Sequence, residues 1–210
     1  MTGRDPMEYA WWLASRASGI VALALVSLSV ILGLAMAGRV SRDPKLRRAM
    51  IAVHEHAALA ALIAIAVHGI TLLGDKWLDP GPLWILVPFH MDHEPLWTGL
   101  GIIGGYLAAA LGLSFYARRR IGAKRWRSLH KATILVYVLS VAHTLGAGSD
   151  AGTPWLRAQL VLTGAPVLFL LVMRMLPAAK KVSAGGSAAP PGSAPSPAPR
   201  SARSQPSRSA

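Results

Sequence analysis

Five long apolar runs, at roughly 11–37, 50–74, 97–117, 129–147 and 156–176, limit what this chain can fold into more than any other feature of it. A helix needs about 20 mostly apolar residues to cross the hydrocarbon of a bilayer. Barrel strands are shorter and alternate in polarity, and a bilayer offers no partner for open backbone groups, so helices are the spanning structure these runs allow. The expected fold is all-α: an integral membrane helical bundle of about five transmembrane helices over residues 11–176, with a short N-terminal segment 1–10. Residues 177–210 are largely Ala, Ser, Pro and Gly with scattered Arg. That composition buries too little apolar surface to fold, so a disordered tail is expected. Ala35-Met36-Ala37 resembles a signal-peptidase site. The apolar run before it is longer than a signal peptide's and a basic cluster follows it, so the first span is expected to be retained.

Charge orients the bundle. The chain is 53% hydrophobic and 15% charged, yet its formal net charge is +13. The basic residues sit between apolar runs and not along an amphipathic surface, which argues against nucleic acid as a partner and for a lipid membrane. Arg39, Arg42, Lys45, Arg47 and Arg48 follow the first span; Arg118, Arg119, Arg120, Lys124, Arg125 and Arg127 follow the third; Lys180, Lys181, Arg200, Arg203 and Arg208 follow the fifth. These alternate segments share one face, which the positive-inside rule makes cytoplasmic. Asp5, Glu8, Asp75, Asp79, Asp92, Glu94 and Asp150 collect on the other face. The expectation is a multi-pass protein of the inner or plasma membrane, N-terminus outside and C-terminus cytoplasmic. All seven tryptophans fall at expected helix ends or in loops, the pattern of an interfacial aromatic belt.

Five of the seven histidines lie inside the spans, where an ionisable side chain is costly and points to function. His54 and His68 are 14 residues apart on the second span, His130 and His143 are 13 apart on the fourth. At 1.5 Å per residue each separation is about 20 Å, most of the hydrocarbon thickness. Both spans run in the same direction, so His54 faces His130 at one depth and His68 faces His143 at another. Two stacked sites follow, each with an imidazole from either side, as helical bundles build cofactor sites. Neutral imidazole is a good ligand for haem iron. The chain has no cysteine, which excludes disulfides, covalent c-type haem attachment, iron–sulfur clusters and thiolate metal sites. At about 100° per residue, 14 residues return to within roughly 40° of one face, whereas 13 leave His130 and His143 about 140° apart on an ideal helix. The fourth span must therefore be bent or locally irregular, or its two cofactors approach it from different sides. His56, about 120° away from His68 by the same rule, is the weaker ligand candidate.

The runs Val53-His54-Glu55 and Leu129-His130-Lys131 after Arg125-Trp126-Arg127, with second histidines 14 and 13 residues further on, resemble the ferric reductase-like transmembrane domain. That superfamily includes ferric reductases, NADPH oxidases and the haem-binding membrane subunit of bacterial methionine-sulfoxide reductases. The resemblance covers about 9–176. It implies two haems b, with His54 and His130 on the cytoplasmic one and His68 and His143 on the outer one. Larger members have six spans and a flavin and nicotinamide module; here five spans are read, and no G-x-G-x-x-G unit follows the last. The implied electron donor is a separate flavoprotein or a quinol.

Other residues carry two readings. Arg16 either pairs with a haem propionate or snorkels to the outer interface. Arg127 and Lys131 either serve the propionates of the cytoplasmic-side haem or anchor the bundle at the membrane surface. His90 and His93, in an acidic loop, either contribute to a metal site or are simply solvated. Gly101, Gly104 and Gly105 permit close helix approach or haem clearance. The functional expectation is electron transfer from a cytoplasmic or quinol donor, through two bis-histidine haems, to an unidentified acceptor on the outer face. The alternatives are a non-catalytic haem-binding anchor for a partner oxidoreductase, and a haem-free proton or metal-ion pathway.

Overall fold

The computed structural model describes residues 6–38 and 40–176; the expected tail 177–210 and residues 1–5 of the N-terminal segment lie outside the described residues, and the rest of that segment, from Pro6, is already helix. The described residues form six helices, α1 (Pro6–Ala37), α2 (Pro44–Leu72), α3 (Pro95–Ile121), α4 (Ala123–His130), α5 (Thr133–Ala147) and α6 (Pro154–Met175), with no strand among them. Five stretches, Tyr9–Ala37, Pro44–Leu72, Pro95–Ile121, Ala123–Ala147 and Pro154–Met175, are long and apolar enough to cross a membrane. The shortest has 22 residues. At 1.5 Å per residue it reaches about 33 Å, more than the hydrocarbon core.

The helices begin where the backbone is prepared for them. α2, α3 and α6 each carry Pro in the first turn, where its missing N–H costs nothing and its φ is already helical. Asp43 caps α2, its carboxylate accepting from the Lys45 N–H at 2.9 Å. α3 and α4 meet at the single residue Gly122, with φ of 91°, a conformation that L side chains rarely adopt. The basic segment expected as a loop at 118–128 is thus mostly helix: Arg118 to Arg120 end α3, and Lys124 to Arg127 lie on α4.

α1 is the most buried helix and packs chiefly against α2; α3 packs chiefly against α5. The core joins Val26, Val30 and Leu34 of α1 to Ala61, Leu111, Val136, Tyr137 and Val167. Outside it, large apolar side chains such as Ile63, Leu162 and Phe169 are exposed. In water such a surface would aggregate; lipid tails solvate it, and small residues at the contacts then supply helix packing. Gly104 meets Leu139 and Gly105 meets Ile65, so these two serve packing.

Candidate functional site

Four histidines meet in two pairs between α2 and the α4–α5 segment. His54 faces His130 with ring centroids 6.1 Å apart and planes at 87°. His68 faces His143, also at 6.1 Å, with planes at 71°. The separation carries chemical meaning. With a metal–nitrogen bond of about 2.0 Å and about 1.1 Å from that nitrogen to the ring centre, two imidazoles on opposite sides of one ion have centres about 6.2 Å apart.

The angular mismatch on the fourth span is resolved by a break in it. Lys131 N donates to Ser128 O, Ala132 N to Leu129 O, Ile134 N to Lys131 O and Leu135 N to Ala132 O, all three residues back instead of four. Such winding turns the chain about 120° per residue in place of about 100°, so four or five residues take up about 80–100° of the 140° mismatch. His130 ends α4 just before this turn and His143 lies beyond it on α5, and both rings reach α2.

Three of the rings are fixed from behind. His54 Nδ1 donates to Ser29 O at 2.8 Å, His68 Nδ1 to Ser15 O at 2.8 Å, and His143 Nδ1 to Trp97 O at 3.0 Å. The Ser29 and Ser15 hydroxyls stand 3.2 Å from the same nitrogens. A carbonyl only accepts, so each Nδ1 carries the proton and each Nε2 keeps its lone pair. That tautomer is the one a metal needs, and the outer hydrogen bond raises the basicity of the ligating nitrogen. His130 differs. Its Nδ1 is buried and has no hydrogen-bond partner among the described residues. Its ring is stacked on Trp126 at 4.9 Å and 23°, and Trp126 Nε1 is tied to Ser114 Oγ at 3.1 Å.

A cavity of about 390 Å³ opens beside the His54–His130 pair, in the usual range for a small-molecule or cofactor pocket. Its wall is apolar, with small residues such as Gly33, Ala58, Ala61 and Gly112 set among larger Val, Leu and Ile side chains. Three cations, Arg127, Lys131 and Arg174, also line it. The first two were singled out from the sequence; Arg174 was not, because it lies on α6, far along the chain.

The remaining candidates lie elsewhere. His56 is exposed, with Nδ1 held by Ala52 O of its own helix at 2.7 Å. His93 stands edge-on to Trp77, and the described residues contain no group of three or more His, Asp or Glu arranged to hold a metal. Arg16 lies over the Trp12 ring and forms a two-pronged ion pair with Asp150, in the α5–α6 connection. The Arg16 side chain is 33% exposed and the Asp150 side chain 10%, so the pair lies between the buried and surface limits. Asp150→Ala is expected to cost about 1–2 kcal/mol. Arg16→Lys keeps the charge but loses the fork and should cost less. Thermal unfolding in detergent measures both; an unmoved midpoint in Asp150→Ala removes the pair's structural role.

Comparison with known proteins gives a family. The model for the ferric reductase like transmembrane component matches residues 18–141. The haem-binding subunit MsrQ of the protein-methionine-sulfoxide reductase of Azospira oryzae is 32% identical over 124 residues, 56% of this chain and 47% of that protein. The chain thus matches about half the length of this relative. No solved structure matches.

Proposed function

The chain belongs to the ferric reductase-like transmembrane family, and from that premise we propose that it is a multi-pass membrane component that binds haem and transfers electrons across the bilayer through two stacked bis-histidine sites. The carrying observation is the pair of imidazole couples, each at 6.1 Å, on helices of a bundle that belongs in a membrane. His54 with His130, and His68 with His143, would hold a haem b at each couple, and the group would supply one-electron chemistry suited to electron relay.

The chain's own residues do the rest. His54 and His130 offer one pair of Nε2 lone pairs, His68 and His143 the other. The carbonyls of Ser29, Ser15 and Trp97 hold three of the rings in the ligating tautomer. The apolar wall around the first pair would admit a flat macrocycle. Arg127, Lys131 and Arg174 supply charge for propionates. Arg16, engaged by Asp150, is left with a smaller part there. By the positive-inside rule the end bearing Arg118 to Arg127 is cytoplasmic, so the His54–His130 site receives electrons from a flavoprotein or quinol and the His68–His143 site delivers them outside.

A second reading has support in the relative's description as a subunit. In it the chain is an anchor that passes electrons to a soluble oxidoreductase on the outer face. Both readings predict two haems per chain by pyridine haemochrome. In liposomes loaded with ferricyanide, an external reductant should bleach the trapped acceptor through the wild-type protein and not through His68→Ala. Wild-type protein without b-type absorbance ends both. Reduction of ferric chelates by the isolated chain favours the first reading; stable co-purification of an outer-face enzyme favours the second.

A further inference from the structure

One local device, used three times, holds three of the four imidazoles. On a helix each Cβ leans towards the N-terminus, so a side chain covers the turn before it and screens the carbonyl four residues back. Glycine at that place leaves the carbonyl bare. α1 carries this arrangement at Ser15 with Gly19 and at Ser29 with Gly33; α3 carries it at Trp97 with Gly101. Each bared carbonyl accepts from the Nδ1 of a histidine on a neighbouring helix. The rings occupy the room the missing Cβ atoms leave. A Cβ on Gly19 would stand 3.1 Å from His68 Nδ1, one on Gly33 3.5 Å from His54 Cε1, and one on Gly101 2.5 Å from His143 Nδ1. The two copies on α1 are 14 residues apart, the same separation as His54 and His68 on α2.

A fourth copy, 14 residues further along α3, would fall at Leu111 and Phe115, where no glycine is present. Gly112, nearby, faces Leu62 instead. Leu111 is in the core, and Phe115 packs edge-on against Trp126 at 6.0 Å. This is where His130 is left with an unpartnered Nδ1 and a stacked Trp126.

We propose that the two sites are built unequal: glycine-bared carbonyls support both imidazoles of the His68–His143 site, while at the His54–His130 site Trp126 positions His130 by stacking alone, which gives the iron there the higher midpoint potential. The inference rests on the bis-histidine reading above. A hydrogen bond from Nδ1 makes Nε2 the stronger donor and favours ferric iron, so two such bonds lower a potential more than one. The cations around the His54–His130 cavity act in the same direction, since positive charge favours the reduced state.

Redox titration of the purified full chain, followed by b-type absorbance and by the low-spin ferric resonance, tests this. Two midpoints are expected. Trp126→Leu should shift the higher one and broaden its resonance while leaving the lower in place, and Trp126→Phe, which keeps a stacking ring, should restore both. Gly19→Ala should move the lower midpoint up towards the higher, an effect the cations do not produce. Coincident midpoints in wild type, a shift of the lower step in Trp126→Leu, or an unmoved lower step in Gly19→Ala each overturn the proposal while the two-haem reading stands. Wild-type protein with no b-type signal removes the reading beneath it.

Discussion

Replacing His130 by alanine is expected to remove about half of the reduced b-type absorbance, because one of two sites then has a single protein ligand. His130→Ala combined with His143→Ala should remove nearly all of it, since each site has lost its ligand from the α4–α5 segment. His56→Ala is the matched control: its ring is exposed and bonded to its own helix, so haem content should stay at the wild-type level. Pyridine haemochrome on purified protein reads all three. Equal loss in His56→Ala and His130→Ala, or no loss in the double variant, sinks the assignment of the four ligands.

Gly101→Ala should be nearly as damaging to the other site, although it changes no ligand. The added methyl group would press on the His143 ring, and the close approach involves the ring itself and not the far end of a flexible chain. Either the ring leaves Trp97 O or α3 and α5 part, and overpacking of this kind costs about 1–3 kcal/mol. Loss of about half the haem is expected, with His54 and His130 untouched. Gly69 supplies the contrast. It lies on α2 beside His68, but a Cβ there would meet nothing within 4 Å. Gly69→Ala should leave haem content unchanged and stabilise the helix by about 0.5–1 kcal/mol through backbone entropy. Haem content that falls alike in both variants would show that the effect is general to α-helical glycine and not local to His143.

The all-helical membrane class and the five spans were legible in the sequence because apolar length is a strong local signal; the four histidines stood out as ionisable residues within the spans, and the fold brings them together in two pairs. The 13-residue spacing left two possibilities, an irregular fourth span or cofactors approaching it from different sides, and the three-residue turn at Lys131–Ala132 is such an irregularity. What stayed hidden has physical causes. The carbonyls that hold the imidazoles are backbone atoms, which no residue type advertises. Gly101 stood out for close helix approach or haem clearance, but Gly19 and Gly33 did not, because a glycine in a membrane helix reads first as packing. Trp126 looked like part of an aromatic belt, and its stacking on His130 emerges only once α4 is folded. Arg16 and Asp150 are 134 positions apart, so only tertiary structure joins them. The helix leading into the fourth span begins before the apolar run at 129, at Ala123; the Lys and Arg of α4 mask a helix that starts directly after Gly122.

The supporting carbonyls of Ser15 and Ser29 belong to one unbroken rod, α1, whereas the opposite wall is divided between α3 and the interrupted α4–α5 segment. A small axial slip of α1 past α2 would release His68 and His54 together, coupling both histidine pairs to a single mechanical coordinate. The far wall has no such common lever, so a disturbance at α4 can reach His130 and leave His143 at rest.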